Sequence, residues 1–112
     1  MSDIIYLGRK NRINKYLTRN GQRLSEDDRE AIQRLQIIIQ NECFDTEEHP
    51  DELTYDPSDG SFSLRAGLRE GLRPARRTFA RVSVYDIAHP IKGLAWQEFE
   101  VSIVRWPSCA LS

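Results

Sequence analysis

Between Ala80 and Val104 the chain carries two apolar runs of period two, separated by Tyr85-Asp86-Ile87-Ala88-His89-Pro90-Ile91-Lys92-Gly93-Leu94. In the first run Ala80, Val82 and Val84 fall on one face. In the second Phe99, Val101 and Ile103 do, with Glu98, Glu100 and Ser102 opposite. Successive side chains of a strand point to opposite faces, so this spacing describes two half-buried strands, and the Asp, Pro and Gly between them describe the loop of an antiparallel hairpin. Val82, Val84, Phe99, Val101 and Ile103 are therefore expected to line one core.

The rest of the chain repeats the pattern in shorter pieces. Ile4 to Leu7 is an apolar run ending at Gly8, and Ile13, Lys15 and Leu17 alternate with Asn14, Tyr16 and Thr18. Asn20-Gly21 follows, and because both residues tolerate positive φ it predicts a tight turn into Gln22 to Leu24. Two short strands are read before residue 25. Ser25 can cap a helix, with Asp28 three residues on, while the isoleucines at 37 to 39 are stiff at χ1 and suit a strand. The passage divides into a helical turn near residues 26–32 and a strand from Arg34 to about Phe44. Asp45 to Glu52, rich in acids and without apolar residues, reads as an exposed loop. Pro57-Ser58-Asp59-Gly60 is a turn; Phe62, Leu64 and Ala66 mark another strand; Gly67 to Arg77 is an irregular connection. The expected fold is all-β: an immunoglobulin-like β-sandwich of about seven short antiparallel strands with at most one short helical turn.

A chain of 112 residues suits one domain, placed at residues 1–104 with a C-terminal tail at 105–112. Net charge is −1, which by itself selects no partner, but its distribution is uneven: an acidic stretch at 26–59 lies between basic flanks, an arrangement that neutralises itself within one fold or presents unlike faces to neighbouring copies. Cys43 and Cys109 lie in unlike surroundings and indicate no disulfide framework. Met1-Ser2-Asp3 opens without a basic segment and apolar core, and no apolar run reaches the ~20 residues of a bilayer span, so cytoplasmic synthesis and no membrane association are expected.

The order Ser58-Asp59-Gly60-Ser61-Phe62-Ser63-Leu64, Gly71-Leu72, Ala80-Arg81-Val82-Ser83-Val84-Tyr85-Asp86, His89-Pro90 and Gly93-Leu94-Ala95-Trp96 resembles a family of small prophage-encoded proteins. Arg9-Lys10-Asn11-Arg12-Ile13-Asn14-Lys15-Tyr16 is similar to that family's start. The resemblance covers roughly the last half of the chain and implies a small β-sandwich, made in a bacterial host and associated with the virion, tail or head-tail region of a tailed bacteriophage, without an assigned activity. Ile91-Lys92-Gly93 is longer than the family's usual Pro-x-Gly turn, and residues 105–112 lie outside its pattern.

No constellation rises to catalysis. His49 and His89 each precede a proline, which makes them turn residues, and no Cys/Asp/Glu set at zinc spacing accompanies them. The acids from Asp45 to Asp59 lack the alternation and central glycine of a calcium loop. No catalytic, cofactor-binding or metal residue is expected, and no small-molecule substrate is evident. Arg69, Arg73, Arg76 and Arg77, within the basic segment Arg65 to Arg81, are the candidate anion contacts; only Phe79 interleaves them, so nucleic acid is disfavoured. Trp96, Arg105 and Trp106 are candidate partner contacts, because aromatic and arginine side chains dominate interfaces. The final strand, Ala95 to Arg105, is the expected exposed edge, while Lys15, Arg19 and Arg23 would guard the early strands. The leading expectation is a non-enzymatic phage structural or assembly protein that contacts copies of itself or other phage structural proteins. The alternative is a small binding module that turns the basic segment toward nucleic acid or an acidic partner.

Overall fold

The computed structural model describes residues 3–9 and 11–105. In chain order its elements are β1 (Asp3–Leu7), β2 (Ile13–Tyr16), β3 (Thr18–Arg19), β4 (Gln22–Arg23), α1 (Glu26–Ala31), β5 (Ile32–Ile39), β6 (Glu42–Asp45), β7 (Leu53–Asp56), β8 (Ser61–Leu64), β9 (Ala75–Asp86) and β10 (Leu94–Arg105). The chain is mostly strand. Pairing gives a mixed five-stranded sheet in the order β1-β10-β9-β5-β6, a three-stranded sheet β2-β8-β7 and the β3–β4 hairpin. All neighbours are antiparallel except β1 and β10, which run parallel from Asp3↔Val101 to Leu7↔Arg105.

One apolar core lies between the two larger sheets. The five-stranded sheet contributes Ile5, Leu35, Ile37, Ile39, Val82, Val84, Phe99, Val101 and Ile103; the three-stranded sheet contributes Ile13, Leu53, Phe62 and Leu64. Phe62 and Phe99 meet across it with ring centroids 6.1 Å apart, in the tilted geometry aromatic pairs favour. The residues of the two period-two runs are thus buried together, as their alternation requires.

Local chemistry sets the corners. Asn20 (φ 53°) and Gly21 (φ 79°) form the turn of β3–β4, the left-handed pair that matches the twist of a two-residue hairpin. Ser25 caps α1 by accepting a hydrogen bond from the Asp28 amide at 3.3 Å, and Glu26, Asp27 and Asp28 face the positive end of the helix. The helix ends after six residues because β-branched Ile32 enters β5. Gly67 is required by close approach: its carbonyl accepts from Gly8 N at 2.7 Å, and a Cβ there would lie 2.0 Å from the carbonyl oxygen of Arg9.

Several expectations are corrected. The described residues form ten strands rather than about seven, two of them twelve residues long, and one pair is parallel. Four strands, not two, precede residue 25. The strand expected from Arg34 to Phe44 is broken at Gln40 (φ 52°) and Asn41 (φ 70°) into the β5–β6 hairpin; polar side chains tolerate the left-handed region well enough to turn without glycine. β9 begins at Ala75, inside the expected irregular connection. Asp45 is not a loop residue but the fully buried end of β6. Finally, β10 is an edge only in part: β9 takes one side and β1 takes residues 101–105 of the other, so among the described residues only 94–100 keep a side without a strand partner, and β1 and β6 are the outer strands of this sheet. Arg105 is the last residue of β10, not the first of a tail. No helix among the described residues is long and apolar enough to cross a membrane.

Candidate protein-contact face

Two arginine-centred networks hold polar groups on and beside the five-stranded sheet. Gln36 and Asp45 are paired across β5 and β6, and Arg34 precedes Gln36 by one alternation, so all three project from one face. The Asp45 carboxylate accepts hydrogen bonds from Arg34 Nε (2.7 Å), from a terminal nitrogen of the same guanidinium, from Gln36 Nε2 (2.9 Å) and from the amides of Glu47 (2.8 Å) and Glu48 (3.4 Å). Tyr85 completes the group, its hydroxyl donating to Gln36 Oε1 at 3.1 Å and its ring lying 5.1 Å from the Arg34 guanidinium. Burial opposes the Asp45 charge, but the hydrogen bonds from Arg34, Gln36 and the two amides outweigh it and bring the carboxyl down to about 2. Every acceptor position is used internally, which makes this a structural clamp on the Thr46–Glu48 turn.

The second network absorbs one of the candidate anion contacts. Arg69 donates to Glu52 (2.5 and 3.2 Å), to Glu42 (3.3 Å) and to the Cys43 carbonyl (3.0 Å), and its guanidinium stacks 4.2 Å from the Phe44 ring centroid. With two carboxylates against one guanidinium, it pins the β8–β9 connection to β6 and offers no net positive charge. Nearby, burial foremost and then the carboxylates of Asp45 and Glu48 push the Cys43 thiol up, away from the thiolate form.

The other candidates separate. Arg73 and Arg76 are exposed, and Arg73 is tied through its backbone to the Gln40 side chain. Arg76 and Arg77 are consecutive on β9 where a register shift opposite Val101 and Ile103 interrupts the alternation, and both are exposed. Arg105 and Arg73 line one open cleft with Leu68 and Pro74. Trp96 is the extra residue of a β-bulge between Ala95 and Gln97; it packs against the core, with Arg19 5.0 Å from its ring, so its first role is to seat the β3–β4 hairpin. Gln97 helps by accepting from Thr18 N at 2.9 Å. Trp106 lies outside the described residues.

What remains open is the outer face of the β9–β10 ribbon. Alternation puts Arg77, Phe79 and Arg81 of β9 on it, beside Glu98 and Glu100 of β10. Arg77 pairs with Glu100; Arg81 approaches Glu98 only to 3.8 Å, a loose ion pair rather than a hydrogen bond. Phe79 stands between the two arginines and is 48% exposed, with Ile38 of β5 (39%) and Ile4 of β1 (40%) on the flanks. The sequence supplied Phe79 only as an aromatic near arginines. The sharper signal was parity: in a strand whose even positions are core, Phe79 is an odd position, and a large apolar residue there must face outward. At the end of the ribbon the loop presents Ile87 (67%) and Ile91 (91%). Comparison with protein-family models, with curated proteins and with solved structures finds no match to this chain.

Proposed function

We propose that this protein is a non-enzymatic, immunoglobulin-like β-sandwich module that works through protein–protein contacts as a structural or assembly component of a tailed-phage particle. The observation that carries the contact reading is Phe79, a large aromatic held outward near the middle of a twelve-residue strand between two arginines. Covering the exposed half of such a ring is worth about 1 kcal/mol or somewhat more, and aromatic and arginine side chains are the groups that dominate interfaces. The immunoglobulin-like assignment is supported by connectivity: β9 and β10 extend through β5 to β6 on one side and face β2-β8-β7 on the other, as in variable-type domains, whose C-F-G sheet is widened by further strands. The phage assignment is supported by the sequence resemblance at residues 58–64 and 80–96.

The internal pairing of Arg69, Arg77 and Arg81 with glutamates favours a protein partner over phosphate, since each neutralised guanidinium releases fewer counterions from nucleic acid. The test is to induce the prophage in the strain that carries this gene, purify particles and quantify the protein by mass spectrometry. It is expected at stoichiometric levels in particles or in assembly intermediates, and wild-type particles from a strain deleted for the gene would overturn the assignment.

A further inference from the structure

We propose that the outer face of the β9–β10 ribbon docks a second copy of this chain, about a two-fold axis lying along the β9/β10 boundary; this rests on the protein-contact reading above and names its partner. The face is ordered by charge. On this face β9 is a cationic row, Arg77 and Arg81, and β10 is an anionic row, Glu98 and Glu100, with Phe79 between the arginines. An in-plane two-fold along their boundary exchanges the rows while keeping each position along the strands, so Arg81 of each copy covers the other's Glu98, and Phe79 lies over the other's Glu100. A face of single sign would repel its own copy; a face divided lengthwise into two signs is self-complementary, the property an isologous dimer demands.

The ion pairs within one copy leave capacity for this. Arg81 has no hydrogen bond to Glu98 at 3.8 Å, while a guanidinium carries five N–H donors, so a second carboxylate in a desolvated contact adds charge-assisted bonds without breaking existing ones. Size is also adequate. Twelve-residue strands are ~40 Å long and spaced ~4.8 Å, and the flanking β5 and β1 are eight and five residues long, so the face presents on the order of 600 Å² per copy, the lower end of what a standard interface buries. Ile38 and Ile4 would close the rim on either side.

The experiment is sedimentation velocity on the full chain at low and high salt, up to about 0.5 mM, a range that detects even millimolar dissociation constants. Wild type is expected to dimerise, more tightly at low salt. Phe79→Ser should abolish the dimer; Arg81→Glu and Glu98→Arg should each weaken it about tenfold or more, and the double exchange Arg81→Glu/Glu98→Arg should recover most of that loss, because it restores both the internal and the intermolecular order. Circular dichroism and melting curves check that each variant is folded. A wild type that stays monomeric throughout, or a dimer indifferent to Phe79→Ser and to the charge reversals, overturns this inference. Neither result touches the particle experiment, whose failure would instead remove the phage assignment while leaving a dimer standing.

Discussion

Replacing Asp45 by alanine is expected to be the most damaging single loss of a polar group. The carboxylate is fully buried and collects hydrogen bonds from Arg34, Gln36 and the amides of Glu47 and Glu48. Removing one partner of a buried pair costs about 3–5 kcal/mol, chiefly because the other charge is left uncompensated. Here Arg34 keeps 26% of its side-chain surface in water and has Glu48 at 3.6 Å and Glu47 at 3.9 Å as poorer substitutes, which brings the expectation to about 2–4 kcal/mol. An independent route agrees: a carboxyl lowered from 3.8 to about 2 corresponds to about 2–3 kcal/mol favouring the folded ionised state. At roughly 4–6 °C per kcal/mol for a domain of this size, the melting point should fall by about 10–20 °C. The sign with pH follows. A carboxyl whose pKa is depressed on folding contributes fully above its unfolded value near 4 and loses that contribution as pH falls toward about 2. Differential scanning calorimetry of wild type and Asp45→Ala from pH 7 to pH 2 tests both parts. The variant should lack this component of acid destabilisation, so the two curves should converge at low pH. A variant that melts within about 3 °C of wild type at pH 7, or a gap that does not narrow in acid, refutes the reasoning.

Val101→Asp should prevent stable folding, because it places an unpaired charge among fully buried apolar side chains; a soluble variant with unchanged melting would sink the assignment of the β10 inner face. Gly67→Ala should cost about 2–3 kcal/mol, since the added methyl collides with the Arg9 and Tyr6 carbonyls and backbone must move; urea unfolding reads the loss directly. Tyr55 should titrate near 12, burial raising it most with Arg29 partly opposing. Its neutral hydroxyl donates to the Arg29 carbonyl at 2.9 Å, so its contribution to stability is complete below pH 10 and disappears as pH rises toward 12. Ultraviolet titration of wild type against Tyr55→Phe isolates this phenol, and a normal transition near 10 would contradict its burial.

Period two was legible wherever one face of a strand is core. Val82, Val84, Phe99, Val101 and Ile103 could be placed from parity alone, and Asn20-Gly21 announced its own turn. The Gln40-Asn41 turn was hidden because Asn41 stands without a glycine beside it and the isoleucines before it and Cys43-Phe44 after it continue the strand pattern without a pause. Asp45 was misread for a related reason: acidity argues for solvent, and only its partners Arg34 and Gln36, eleven and nine residues earlier on the neighbouring strand, offset the cost of its burial. The edges were least legible of all. Whether β10 is flanked by β1 depends on a pairing across nearly the whole chain, and no local signal in Asp3–Leu7 names its partner. The candidate site followed the same rule: Trp96 was recognisable as an aromatic of consequence, but the bulge that turns it toward Arg19 is a matter of register.

The parallel pairing of Asp3–Leu7 with Val101–Arg105 also sets the order of events during synthesis. The first strand leaves the ribosome without its partner and must wait for some 98 further residues, which at 5–20 residues per second is about 5–20 s. Until then Ile4 and Ile5 belong to an unpaired strand, and closure of the sheet is tied to the longest-range strand pairing among the described residues. Folding is accordingly expected to be slow, on the millisecond-to-second scale of proteins dominated by non-local pairing, with β5, β6 and β9 assembling before β1 is captured. The same pairing makes the last strand the keystone of the five-stranded sheet: a chain interrupted before residue 101 would hold β1 nowhere, and its early strands would be exposed to the edges of other nascent copies.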